Sequence, residues 1–458
     1  MTLDAVGAEA AADLGLTTAA AALREGTGRL PWTSALAVGR LAVDSVALSS
    51  LAIDGARAAR DGGRVGFVRV DLGRIAASFA SERVQRIDGA KPEAWAPLSG
   101  FWPSRDGWVR THANYPHHEG ALRTVLGVPI DASREAVAGA IRERTSVDLE
   151  EQAHQAGAIV AAVRTGDVWS RHPQAQAVAS RPLIEITRRE GAPPRPWWRS
   201  GAALSGVRVL DLTRVIAGPV AGRDLAMAGA DVLRVDPPHL PETGWIHLDT
   251  GQGKRSTVLD LADGPDRDRF FELLQTADVV LSGYRPGALD RFGLDAATLA
   301  ASHPGIVTAR VSAWGETGPW AQRRGFDSIV QAATGIAMRE SPDGTTPGAL
   351  PVQALDHSTG HLLAAAVVTA LVRQRTEGGS FDVRMSLARV AQALLAAPGD
   401  TRGDASVALP SRERLLPGHR PGALVYAPPV LAFAGAPDDY PVVGGAWGVD
   451  APAWDTAP

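Results

Sequence analysis

The chain contains no cysteine, and its 458 residues include only two lysines, Lys91 and Lys254. Without thiols, disulfides, thiolate zinc sites and cysteine nucleophiles are excluded. With lysine so scarce, almost all positive charge rests on arginine. Lys254, inside GQGKRSTVLDL, therefore marks a position that wants an ammonium. The formal net charge of −4 offers no general attraction to nucleic acid or to an anionic membrane. An anionic ligand must then be held by a local cluster. MTLDAVGAEAAADLGL has no basic region ahead of an apolar run, so no signal peptide is expected. The apolar run within 361–372 is too short to span a bilayer, and a cytoplasmic protein is expected. PHHEG (116–120) supplies two histidines and a glutamate without a spaced third ligand set, so no metal site is expected.

What is present is a 45% hydrophobic, 21% charged chain, the balance of a globular protein. Between 205 and 400, short β-branched runs alternate with helical stretches. GVRVLDL (206–212) is a strand, AGPVAGRDLAMAGA (217–230) a helix and DVLRVD (231–236) a second strand, which together form a β-α-β unit. STVLDL (256–261), PDRDRFFELLQTA (265–277), DVVLSG (278–283), 288–304 and 305–315 continue the alternation. The pattern predicts an α/β fold with a doubly wound, Rossmann-like parallel sheet. The first turn, TRVIAGPVAG, lacks the GxGxxG spacing that a dinucleotide pyrophosphate requires.

A short internal repeat accompanies this. GGRVGFVRVDLGRIAASF (62–79) parallels GGSFDVRMSLARVAQAL (378–394), each a glycine pair, strand and helix. The preceding helices also match, and aligning TSALAVGRLAVDSVALSSL with VQALDHSTGHLLAAAVVTALVRQ sets Ala37 opposite Asp356. The chain divides into a degenerate helix-strand-helix copy (1–99), a distinct region (100–190), a Pro/Gly-rich linker (191–205), a large domain (206–400) and a Pro/Gly/Ala-rich tail (401–458).

Five ordered blocks resemble the family III CoA-transferases, which include the α-methylacyl-CoA racemases. The blocks are GVRVLDLTRVIAGPVAGRDLAMAGADVLRVDPP, GKRSTVLDL, ADVVLSGYRPGALDRFGLD, VSAWGETGPWAQRRGFDSIVQAATG and ALDHSTGHLLAAAVVTAL. By this resemblance, 80–190 is similar to the family's smaller α+β domain and return segment. The order of segments is that of a truncated tandem or permuted member.

The resemblance implies CoA transfer between an acyl-CoA donor and a carboxylic acid acceptor, with the CoA thioester as substrate and no tightly bound cofactor. Asp356 matches the family's nucleophile, which attacks the acyl carbonyl and then carries CoA as an aspartyl thioester. Such a carboxylate must be oriented and shielded from water. Backbone N–H groups of the following helix are suited to that task. Val215, Ile216 and Ala217 would border the thiol arm. Lys254 would contact CoA phosphate, as would Arg291 with Phe292 beside it, and Tyr284 would meet the adenine. Arg285 could compensate for Gly283, which stands where the family commonly has asparagine. A homodimer is possible; nucleic acid and membrane partners are not expected. Two rival readings remain. One is an acyl-CoA epimerase or isomerase, although Phe326 occupies the place of the racemase histidine. The other is a degenerate, non-catalytic CoA-binding protein. The competing reading of Asp356 is a helix cap, but Ser358 and Thr359 stand closer to the apolar run and would cap the helix at least as well.

Overall fold

The alternation of β-branched runs with small-residue helices builds a seven-stranded sheet. The structure, a computed structural model, describes residues 1–416 and 423–455; the stretches of the expected tail at 417–422 and 456–458 lie outside the described residues. Across the sheet the strands run Glu185–Arg189, Ser380–Ser386, Val307–Ser312, Val279–Ser282, Arg208–Leu212, Asp231–Asp236 and Arg255–Val258. All neighbours pair in parallel except Glu185–Arg189, which runs antiparallel along Ser380–Ser386 at the edge. Numbered from Arg208–Leu212, the six parallel strands lie in the doubly wound order 3-2-1-4-5-6. The strand order reverses between Arg208–Leu212 and Val279–Ser282, and the crevice beyond the carboxyl ends there is where such sheets hold ligands.

The strands read as unbroken apolar runs because both faces are covered. Helix Ala217–Met227 lies on one face, and Val209, Leu225, Val279 and Val307 are buried there with helix Ala354–Glu377. On the other face Leu210, Leu233, Phe270, Leu274, Leu299 and Ile306 form a separate core. Two small antiparallel sheets complete the architecture. Gly100–Pro103, Trp108–Thr111 and Val160–Ala162 form one; Arg86–Ile87, Ala423–Tyr426 and Arg412–Leu415 form the other.

Helix Val38–Asp61 packs along helix Ala354–Glu377. Both span 24 residues and end at a positive-φ glycine, Gly62 and Gly378, and both are preceded by a non-helical residue of similar geometry, Ala37 and Gln353. The repeat is therefore offset so that Ala37 faces Gln353, and Arg40, not Ala37, stands where Asp356 does. The shared Ala-Leu pairs at 35–36 and 354–355 suggested the wrong offset; the glycine pairs give the right one. Arg40 donates to the Thr2 carbonyl and lies beside Asp44.

Helix Ala354–Glu377 has the length and apolarity of a membrane span, longer than the run read from the sequence, yet it is buried within the protein. Its close crossing with Ala217–Met227 depends on Gly360, where a Cβ would stand 2.5 Å from the Ala217 carbonyl oxygen and 2.7 Å from the Val220 Cβ.

Candidate active site

A cavity of about 680 Å³ opens at the point where the strand order reverses. Its floor is the loop after Arg208–Leu212, with Arg214, Val215, Ile216 and Ala217, and the loop after Val279–Ser282, with Gly283, Tyr284 and Arg285. The volume suits a drug-sized or nucleotide-sized ligand. Five arginines line it (Arg214, Arg285, Arg291, Arg323 and Arg324) against two carboxyl groups, Asp260 and Asp356. This local excess of positive charge, in a chain of net charge −4, is what a polyanionic ligand needs. One side is apolar and aromatic, with Tyr284, Leu289 and Phe292; the Arg291 guanidinium sits 4.6 Å from the centre of the Phe292 ring.

Of the residues singled out in the sequence, the structure brings Asp356, Val215, Ile216, Ala217, Tyr284, Arg285, Arg291 and Phe292 to this cavity. It does not bring Lys254. That side chain is buried beneath the loop, where Nζ donates to Asp211 Oδ2 and to the Pro219 carbonyl, both at 2.7 Å. Burial pulls its pKa down to about 8 despite the Asp211 carboxylate. Gly222 makes room for the pair, since a Cβ there would stand 2.8 Å from Nζ. The ammonium wanted at this position is structural and does not reach a phosphate in the cavity.

Val215 has φ 68°, a left-handed conformation that costs a β-branched residue energy and persists only under firm support. The support is Glu242. Its Oε2 accepts from the Val215 N–H at 3.0 Å and from Arg234, while Oε1 accepts from the Tyr115 hydroxyl at 2.6 Å. Burial alone would raise this carboxyl's pKa, but Arg234 and Arg214 hold it down to about 2. Neither Glu242 nor Tyr115 stood out in the sequence, because the contacts of Glu242 with Val215 and Tyr115 join residues 27 and 127 positions apart in the chain.

Asp356 is the third residue of helix Ala354–Glu377, and it caps nothing. Its own N–H donates to Asp327 Oδ2 at 2.9 Å, so the first residue of helix Asp327–Thr334 performs the capping. Ser358 and Thr359 do not cap either; their hydroxyls are buried without hydrogen-bond partners among the described residues. The Asp356 carboxyl is thus free at the cavity wall, buried to 6% exposure beside a helix N-terminus. Burial first, and the Asp327 carboxylate second, push its pKa well above the usual range. Asp327 itself is raised to about 6, chiefly by burial.

Two histidines beside Asp356 are held against protonation by burial. Burial takes His112 down to about 3, and His357 is also driven well down. Phe326, in the racemase histidine's place, stacks on His112 at 3.8 Å between ring centres. His361 is turned away from the site, with Nδ1 2.7 Å from Asp224 Oδ2, which also accepts from Ser49.

Among known proteins, residues 204–412 match CoA-transferase family III. The "Probable fatty acyl-CoA transferase Rv3272" of Mycobacterium tuberculosis is 34% identical over 207 residues, 42% of this chain and 52% of that protein. The "Acetyl-coenzyme A transferase nodX" of Hypoxylon pulicicidum is 32% identical over 326 residues, 64% of this chain and 53% of that protein. The "Succinate--glutarate CoA-transferase" of Agrobacterium fabrum is 34% identical over 212 residues, 42% and 53% respectively. The chain spans about half the length of these curated relatives. The stretch matched to CoA-transferase family III contains Asp356 and most of the residues that line the switch-point cavity.

Proposed function

We propose that the protein moves CoA from an acyl-CoA to a carboxylic acid through Asp356. The observation that carries this reading is the free Asp356 carboxyl, at the wall of an arginine-lined cavity and relieved of capping by Asp327. The nucleotide end of CoA lies among Arg285, Arg291, Tyr284 and Phe292, and its pantetheine arm runs over Val215, Ile216 and Ala217 toward Asp356.

With the thioester seated, the Asp356 carboxylate attacks the acyl carbonyl and CoA thiolate leaves, giving an acyl-aspartyl anhydride. The thiolate attacks the aspartyl carbonyl and releases the donor acid, leaving an aspartyl-CoA thioester. The acceptor carboxylate attacks that thioester, and the returning thiolate takes the acceptor's acyl group and restores Asp356. Each step exchanges one carboxylate for one thiolate, so no proton donor is needed. The burial of Asp356 is what shields the anhydride from water.

A second reading has one observation behind it. His112 and Asp356 line the same small cavity, where they could exchange an α-proton as an epimerase would.

The test is the intact mass of wild type and Asp356→Asn after mixing with a panel of acyl-CoA thioesters. A CoA-sized adduct on the wild type, released by hydroxylamine and absent from the variant, is expected. Bound CoA without an adduct refutes covalent transfer. Deuterium entering the α-position of the thioester in heavy water would then favour the epimerase, and its absence a non-catalytic CoA binder.

A further inference from the structure

On the far side of Asp356 lies a second cavity of about 60 Å³. Val215, Ile216, Phe326 and Asp356 line both cavities and form the neck between them. We propose that the small cavity is the acyl pocket, and that it selects a short, uncharged acyl group carrying a hydroxyl. This rests on the reading of the larger cavity as the CoA site.

Three properties of the walls lead there. The first is size. At roughly 10–15 Å³ per water-sized group, the cavity of about 60 Å³ holds about four to six such groups, the tail of a short acyl chain. Trp95, Trp245 and Ile246 supply its apolar wall.

The second is charge. Glu82, Asp249 and Asp327 line the cavity with Asp356, and none of the lining residues is lysine or arginine. Arg83 and Arg223 stand behind Glu82 and Asp249, at 3.3 and 3.9 Å, and do not line the cavity. An acyl tail ending in a carboxylate would meet the acids first and be repelled. Burial raises all three of these carboxyls, so a carboxyl in this pocket already resists ionisation, and a further anion would add to that strain.

The third is unmet hydrogen bonding. His112, His357 and Ser328 line this cavity, and each carries a buried polar atom (Nδ1, Nδ1 and Oγ) without a hydrogen-bond partner among the described residues. A purely hydrocarbon tail would leave them orphaned at a cost, whereas a hydroxyl can both donate and accept. Asn114, by contrast, is already satisfied by Ala94, Ala96 and Ser99.

The test is equilibrium binding to full-length Asp356→Asn, which keeps the pocket and stops the chemistry. CoA, butyryl-CoA, 3-hydroxybutyryl-CoA, succinyl-CoA and decanoyl-CoA are compared. 3-Hydroxybutyryl-CoA should bind about tenfold tighter than butyryl-CoA, the ratio one net hydrogen bond gives. Succinyl-CoA and decanoyl-CoA should bind no tighter than CoA. Adding Ser328→Ala should reduce the hydroxyl preference, and adding Glu82→Gln should admit succinyl-CoA. Tighter binding of succinyl- or decanoyl-CoA than of 3-hydroxybutyryl-CoA overturns the proposal, as do equal affinities across the series. Should CoA bind with this acyl order while wild type forms no adduct, the pocket stands and covalent transfer falls. Should CoA itself not bind, both fall.

Discussion

Replacing Lys254 by methionine separates a structural ammonium from a phosphate-binding one. In the folded chain Lys254 and Asp211 are buried together beneath the Val215 loop, with the Lys254 ammonium also held by the Pro219 carbonyl. Asp211 further accepts from the Thr213 backbone and hydroxyl. Lys254→Met takes the cation away from the buried Asp211 side chain, a change that costs about 3–5 kcal/mol. At 1.36 kcal/mol per tenfold, the folding equilibrium falls by roughly two to four decades. Adding Asp211→Asn removes the stranded charge and should recover most of the loss, giving a strongly non-additive cycle. Wild type should also gain stability as pH rises from about 8 toward the unfolded lysine value. In that window the unfolded chain holds the proton that the buried, depressed Lys254 has lost; both Lys254 variants should lack this rise. Urea unfolding followed by circular dichroism gives the stabilities, and calorimetric titration of the still-folded variants gives CoA affinity, expected within about threefold of wild type. An affinity loss of tenfold or more at unchanged stability would refute this reasoning.

Two further outcomes follow from the packing around Asp356. Asp327→Asn removes the neighbouring charge that helps raise the Asp356 pKa, so the pH profile of adduct formation should move toward acid; an unmoved profile would show that the two carboxyls do not interact. Gly360→Ala drives a methyl into the Ala217 carbonyl and Val220 across the helix crossing; it should cost about 1–3 kcal/mol by denaturant titration and loosen CoA binding through the adjoining 215–217 loop.

The doubly wound sheet was legible because its strands and helices differ in period and residue type. The runs at 206–212, 231–236 and 278–283 contain the observed strands Arg208–Leu212, Asp231–Asp236 and Val279–Ser282. The cavity residues were legible because they follow those strands directly in the chain. Lys254 was misread because its rarity and its block both pointed to a ligand, while the acid that claims it lies 43 residues away, on strand Arg208–Leu212. Glu242 was invisible for a similar reason: a lone glutamate in HLPETGW gains meaning only once Arg234, Tyr115 and Val215 surround it. The alignment of Ala37 with Asp356 failed because a shared dipeptide is weaker than the shared helix length and glycine ending, which place Arg40 there. The capping question was settled by Asp327, a residue from another helix that no local pattern could have nominated.

The most direct measurement uses a carboxylic acid acceptor labelled with ¹⁸O in both carboxyl oxygens. After a single turnover with an acyl-CoA donor, the peptide containing Asp356 is weighed. If the acceptor attacks an aspartyl-CoA thioester at Asp356, one acceptor oxygen stays behind and the peptide gains about 2 Da, as the atom balance of the proposed steps requires. Labelled acceptor converted to its CoA thioester with no label in Asp356 would contradict the account.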